Sequence, residues 1–95
     1  MKGMIRLKII KVSAVWCPGC LSMKKVWNKI KEDYPNVEII DLDYDIDHDL
    51  VMKYNPEKLL PMTLFMDNND NELERIIGER SVKYLEELIV KYEKN

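Results

Sequence analysis

The residues best equipped for chemistry in this chain are Cys17 and Cys20, its only two cysteines among 95 residues, set in Trp16-Cys17-Pro18-Gly19-Cys20 directly after an apolar run. Residues three apart share one face of a helix, so two thiols at this spacing can close a local disulfide with little backbone movement. Closing so short a loop removes little entropy from the unfolded chain, which makes the pair a poor structural staple and a good reversible redox couple. Two other readings stand beside this one: a pair of buried thiols, or half of a zinc site. Zinc normally takes four ligands; no second CxxC exists, and the single histidine, His48, cannot complete the set. At the head of a helix, Cys17 would sit beside unpaired backbone N–H groups and the positive end of the dipole, both of which favour its thiolate. Cys17 is the expected nucleophile; Cys20, one turn deeper and expected to be less exposed, would attack Cys17 and release the substrate.

The flanking elements must hold this pair in place. Ile5 to Val12 reads as a strand buried on both faces. Cys17 stands where an N-cap should, with Pro18 at the first helical position, where its fixed φ and missing N–H are harmless. Met23, Val26, Trp27, Ile30 and Tyr34 follow at helical spacing, and Lys24, Lys25, Lys29 and Lys31 make the solvated side. Pro35-Asn36 ends that helix. Val37 to Leu42 is a second strand, so the first half is a βαβ unit with parallel strands and a right-handed crossover. Asp47 is placed to cap a short helix holding Leu50, Val51 and Tyr54, stopped by Asn55-Pro56. Met62 to Met66 and Leu73 to Ile77 flank the turn formers Asp67-Asn68-Asn69-Asp70-Asn71 as a β-hairpin. Ser81 offers a cap for a last helix with Val82, Leu85, Leu88, Ile89 and Tyr92 on one face.

The length predicts one domain over residues 1–95. No segment approaches the ~18 to 20 uninterrupted apolar residues of a membrane span. Arg6, Lys8 and Lys11 interrupt the apolar N-terminal run, so a secretory h-region is not expected and a cytoplasmic setting is. There a cysteine pair is more often catalytic than structural. A net charge of −2 leaves no basic stripe for nucleic acid. The alternating Asp41, Asp43, Asp45, Asp47 and Asp49 fail as a calcium loop, because no frame supplies both the glycine at the sixth position and the glutamate at the twelfth. They read as solvated strand-end and capping charges, with His48 exposed among them. Neither a metal nor another cofactor is expected.

Three motifs resemble the thioredoxin superfamily across nearly the whole chain. Ser13-Ala14-Val15-Trp16-Cys17-Pro18-Gly19-Cys20 is similar to its active-site segment; Lys53-Tyr54 with Leu60-Pro61-Met62-Thr63-Leu64-Phe65 is similar to the segment that carries its cis-proline; Ile77-Gly78 matches the glycine after its hairpin. The resemblance implies an α/β minimal thioredoxin fold, a four-stranded mixed sheet ordered 2-1-3-4 with helices on both faces, in the order βαβ-α-ββα. The chain begins at the first strand of that fold, as in the small, glutaredoxin-sized members. The resemblance further implies a cis Pro61 that turns the Leu60 backbone toward Cys17, where an extended substrate peptide could pair with it. Trp16, Pro18, Leu60 and Pro61 thus form the expected substrate-contacting set around the catalytic Cys17 and Cys20.

Other residues depart from the pattern. Pro18 precedes Gly19 between the cysteines, the reverse of the usual thioredoxin dipeptide and similar to glutaredoxins. Trp16 favours thioredoxin, and the paired glycines with a following aspartate of glutaredoxins are not evident at Gly78-Glu79-Arg80. Many thioredoxins carry a buried aspartate six residues before the nucleophile; here that position is Lys11, which either snorkels to the surface or is buried close enough to act on the cysteines. The expected function is a thiol–disulfide oxidoreductase that reduces protein disulfides. Its expected partners are disulfide-containing proteins and a thioredoxin-reductase-like or small-thiol electron donor, with neither nucleic acid nor membrane, and the expected state is a monomer. A glutathione-linked reductase and a non-enzymatic redox-sensing binding module are the alternatives.

Overall fold

Four strands and four helices make up the described part of the computed structural model, residues 7–56 and 59–93. They are β1 (Lys8–Ser13), α1 (Pro18–Ser22), α2 (Lys24–Asp33), β2 (Glu38–Asp43), α3 (His48–Met52), β3 (Met62–Met66), β4 (Glu72–Ile77) and α4 (Val82–Glu93). The sheet order is β2-β1-β3-β4. β1 runs parallel to β2 and antiparallel to β3, and β3 is antiparallel to β4. This is the mixed sheet expected from the resemblance. Ile5 and Arg6, the start of the expected first strand, lie outside the described residues.

Burial follows the pleat. Successive side chains of β1 alternate between faces, so Ile9 joins Trp27 and Ile30 of α2, Phe65 of β3 and Leu85 and Ile89 of α4. Ile10 and Val12 join Met62 and Leu64 of β3 and Val51 of α3 on the other face. The sheet is thus covered by α2 and α4 on one side and α3 on the other. Every residue of β3 is buried, which fits a central strand between β1 and β4. Each large aliphatic side chain removed from water in this way contributes roughly 1.5–3 kcal/mol.

Local side-chain bonds set the boundaries. Ser81 Oγ accepts the Tyr84 N–H at 3.1 Å and so caps α4 as its position suggests. In the hairpin turn, Asp67 Oδ1 accepts the N–H groups of Asn69 and Asn71 at 2.8 and 2.9 Å, and Asp70 takes φ +63°. Two expectations are corrected. The helix expected from Pro18 to Tyr34 is divided at Met23, whose ψ of −7° departs from the helical value, next to a Ser22 hydroxyl shared between the Gly19 carbonyl at 3.0 Å and the Glu79 carboxylate at 2.7 Å. Asp47 occupies the N-cap of α3 without capping it; its carboxylate accepts the Asp43 N–H at 2.8 Å instead. Tyr54 lies past the end of that helix. Among the described residues no helix is long and apolar enough to cross a membrane.

Candidate functional site

β1 ends at Ser13, and Ala14 to Trp16 deliver the chain to Cys17 at the N-cap of α1. The two cysteines are joined as a disulfide with Cα atoms 5.3 Å apart. Cys17 Sγ accepts the Cys20 N–H at 3.1 Å, a cap that satisfies one of the orphan donors of the first turn. The exposure of the pair reverses the sequence expectation. Cys17 is only 4 % exposed, whereas Cys20 is half-buried and opens onto a cleft.

Pro61 comes to this turn from the opposite side. Its peptide bond with Leu60 is cis, as the resemblance implied. A Cβ on Gly19 would stand 3.2 Å from Pro61 Cδ and 3.1 Å from Glu79 Oε2, so a larger residue would force these neighbours to give by a few tenths of an ångström. Gly78, at φ +100°, donates its N–H to the Pro61 carbonyl at 2.8 Å and fixes the loop after β4 beside the turn. The ladders of β3 with β1 and with β4 both stop at Met62, so the half-buried Leu60 lies beyond the paired part of the strand.

Trp16 is 57 % exposed and not part of the core. Its Nε1 donates to Asp45 Oδ2 at 2.7 Å, and its ring meets Tyr44 edge-on with centroids 6.3 Å apart. Pro18 is exposed beside it. Asp45 is itself placed by Asp43, whose Oδ1 accepts the N–H groups of Asp45 and Ile46. The acidic run is therefore a brace for Trp16 as well as a solvated surface, a role that the sequence pattern did not reveal. His48 is exposed and stacks edge-on against Tyr44.

The cleft below the disulfide has a volume of about 360 Å³ and is lined by Cys20, Lys11, Trp27, Asp41, Pro61 and Thr63 among others. Lys11 is largely buried: its side chain is 17 % exposed, its ammonium pairs with Asp41 at 2.5 Å, and the same ammonium lies 5.3 Å from the Trp27 ring centroid. Asp41 also meets Lys31 at 3.5 Å. Partial burial pushes the Asp41 carboxyl up, and the bonds and charges of Lys11 and Lys31 outweigh that effect, leaving it below the usual carboxylate range. Lys11 thus faces the cleft as half of an ion pair. Asp41 and Glu79 were missed as site residues. The parallel register that sets Lys11 opposite Asp41 was the available signal for the first, and nothing local marked the second.

Among curated proteins, the chain is 33% identical over 87 residues to a thioredoxin of Ophiophagus hannah, a match covering 92% of this chain and 80% of that one. It is 29% identical over 70 residues to thioredoxin H5 of Oryza sativa, covering 74% of this chain and spanning half of that longer protein. Among solved structures, a thioredoxin of Nicotiana alata superimposes with a TM-score of 0.84 at 26% identity over 97% of this chain and 77% of that one. The family model described as Thioredoxin matches residues 4–91. With that match over almost its whole length, and a cysteine pair able to close and open a disulfide, the chain belongs to the thioredoxin family of thiol–disulfide oxidoreductases.

Proposed function

We propose that this domain works as a reductant of protein disulfides, with Cys17 as nucleophile and Cys20 as resolving thiol. The observation that carries the assignment is the Cys20 N–H on Cys17 Sγ, a bond that strengthens when that sulfur bears negative charge. The assignment rests on this bond and not on exposure, which favours Cys20. In the reduced protein the Cys17 thiolate attacks one sulfur of a substrate disulfide, forming a mixed disulfide and expelling the other substrate sulfur as a thiolate. Cys20 gives up its proton and attacks Cys17 Sγ; the Cys17–Cys20 bond forms, and the second substrate sulfur leaves with the electron pair. Two electrons pass to the substrate, and an external dithiol reductase or small thiol returns them. An extended peptide beside the mixed disulfide would pair with the Leu60 backbone, which stands beyond the end of both ladders. Trp16 and Pro18 supply apolar surface on the other side of the turn. We place this activity in a reducing, cytoplasmic setting, carried out by a monomer.

The test uses two variants. Cys17→Ser is expected to abolish disulfide reductase activity, and Cys20→Ser to accumulate mixed disulfides that mass spectrometry can identify from cell extract. If the two variants exchanged these behaviours, the roles would have to be exchanged as well.

A further inference from the structure

Glu79 takes no part in the exchange chemistry, yet its carboxylate lies on the active-site turn. Oε1 accepts the Ser22 hydroxyl at 2.7 Å, and Oε2 and Cγ would stand 3.1 and 3.3 Å from a Cβ on Gly19. The carboxylate is held between the helix that carries the disulfide and the loop that Gly78 ties to Pro61. Gly19 lies between the two cysteines in the chain. A charge held against Gly19 is therefore close to the disulfide and beside Pro61.

Two nearby cations are engaged elsewhere, while Lys24 lines the cleft on the Cys20 side. Arg80, the cation of the same loop, is turned elsewhere: Nη1 donates to the Glu79 main-chain carbonyl at 2.8 Å, and the guanidinium lies over the Tyr84 ring. Lys11 is paired with Asp41. Across the turn, Trp16 carries a second carboxylate, Asp45, on its indole nitrogen. Trp16 and Gly19, next in sequence to Cys17 and Cys20, thus each carry a carboxylate against them.

We infer that Glu79 is a specificity-determining residue, which disfavours anionic thiols and disulfides at the Cys17–Cys20 couple and favours cationic or neutral ones. This deepens the redox reading and rests on it. Glutathione, with two carboxylates and one ammonium, is on this basis a poor reductant of the oxidised protein. The reaction in question is opening of the disulfide: a thiolate bonds to one cysteine sulfur and the other departs as a thiolate and takes a proton. A second thiol then attacks the sulfur of the bound thiol, so that two thiols become one small disulfide and the protein becomes a dithiol.

The experiment measures the rate at which glutathione, 2-mercaptoethanol and cysteamine (anionic, neutral and cationic probes) open the oxidised protein at neutral pH, in wild type and in Glu79→Gln. Glutamine keeps the shape and can still accept from Ser22. The ratio of variant to wild-type rate for each probe cancels intrinsic thiol reactivity. The expected result is a glutathione rate raised by roughly two- to fourfold, a cysteamine rate lowered by a similar factor and 2-mercaptoethanol little changed, with the differences shrinking in high salt. A merely structural role would move all three ratios together. Equal ratios, including three ratios of one, overturn the assignment. A wild-type disulfide that none of the three thiols opens overturns the redox reading itself, and this inference with it.

Discussion

Lys11 and Asp41 show what a single pair of residues can do to the cleft below the disulfide. The ammonium is largely buried while about half of the carboxylate side chain remains in water, with side-chain exposures of 17 and 53 %. Solvent therefore screens the attraction, and the coupling expected from a double-mutant cycle of Lys11→Met and Asp41→Asn is about 0.5–1 kcal/mol. Asp41→Asn leaves the Lys11 ammonium facing the cleft without its partner, whereas Lys11→Met leaves Asp41 with the more exposed Lys31 alone. Lys11→Met should raise the pH at which thiolate absorbance appears in the reduced protein, and Asp41→Asn should lower it, because the first removes a cation from the cleft that Cys20 lines and the second removes an anion. Unchanged titrations in both would reduce the pair to packing. At this scale the cysteines, Pro61 and Trp16 were legible in the sequence, since their chemistry or a motif a few residues long marks them. Asp41 and Glu79 were not: one depends on strand register and the other on a contact between residues 19 and 79.

β4 contributes more than an edge strand through Arg75. Its guanidinium donates to the carbonyls of Tyr54 and Asn55 at 2.5 and 2.9 Å, and it pairs with Glu72 at 3.0 Å. The chain leaving α3 toward Leu60 and Pro61 is thereby tied to the sheet, at a point where Asn55 takes φ +52°. Arg75→Ala should destabilise the protein by about 1.5–3 kcal/mol, the range for losing hydrogen bonds to a charged group. If the segment also positions Leu60, the variant should raise KM for a peptide disulfide more than it lowers kcat. A variant with wild-type stability in urea and wild-type KM would show that the tie carries no load. The hairpin and α4 could be read from the sequence because their turn and cap residues act within four positions. The break at Met23 and the diverted Asp47 could not: Ser22 also reaches the distant Glu79, and the Asp47 carboxylate had two local options, the N–H groups of its own helix and that of Asp43.

Among the described residues of the molecule, the ionisable groups that depart from their ordinary values do so toward the edges of the pH scale. Hydrogen bonds from Asn71 hold the Asp67 carboxyl below its usual range, the Arg75 guanidinium does the same for Glu72, and the lysines around Asp41 outweigh its burial. At the other end, the hydrogen bond to Asp70 raises Lys8, and the hydrogen bond to Glu74 raises Tyr92. A depressed carboxyl stabilises the fold above its unfolded pKa, and that contribution is lost as pH falls through the folded value, because the unfolded chain there binds more protons. A raised lysine or phenol contributes below its unfolded pKa, and the contribution disappears as pH rises through the folded value. Stability should therefore be flat through neutrality and fall on both sides, beginning near pH 5 on the acid side, where ordinary carboxyls start to protonate. Net charge reinforces the acid limb. The protein carries −2 at neutral pH from 17 acidic and 15 basic side chains, so losing the carboxylates leaves the cations to repel one another. Urea unfolding between pH 3 and 10 measures the profile, and Asp41→Asn should make its acid limb shallower. Stability that rose on acidification below pH 4 would contradict the assignment of these carboxylates as net stabilisers of the fold.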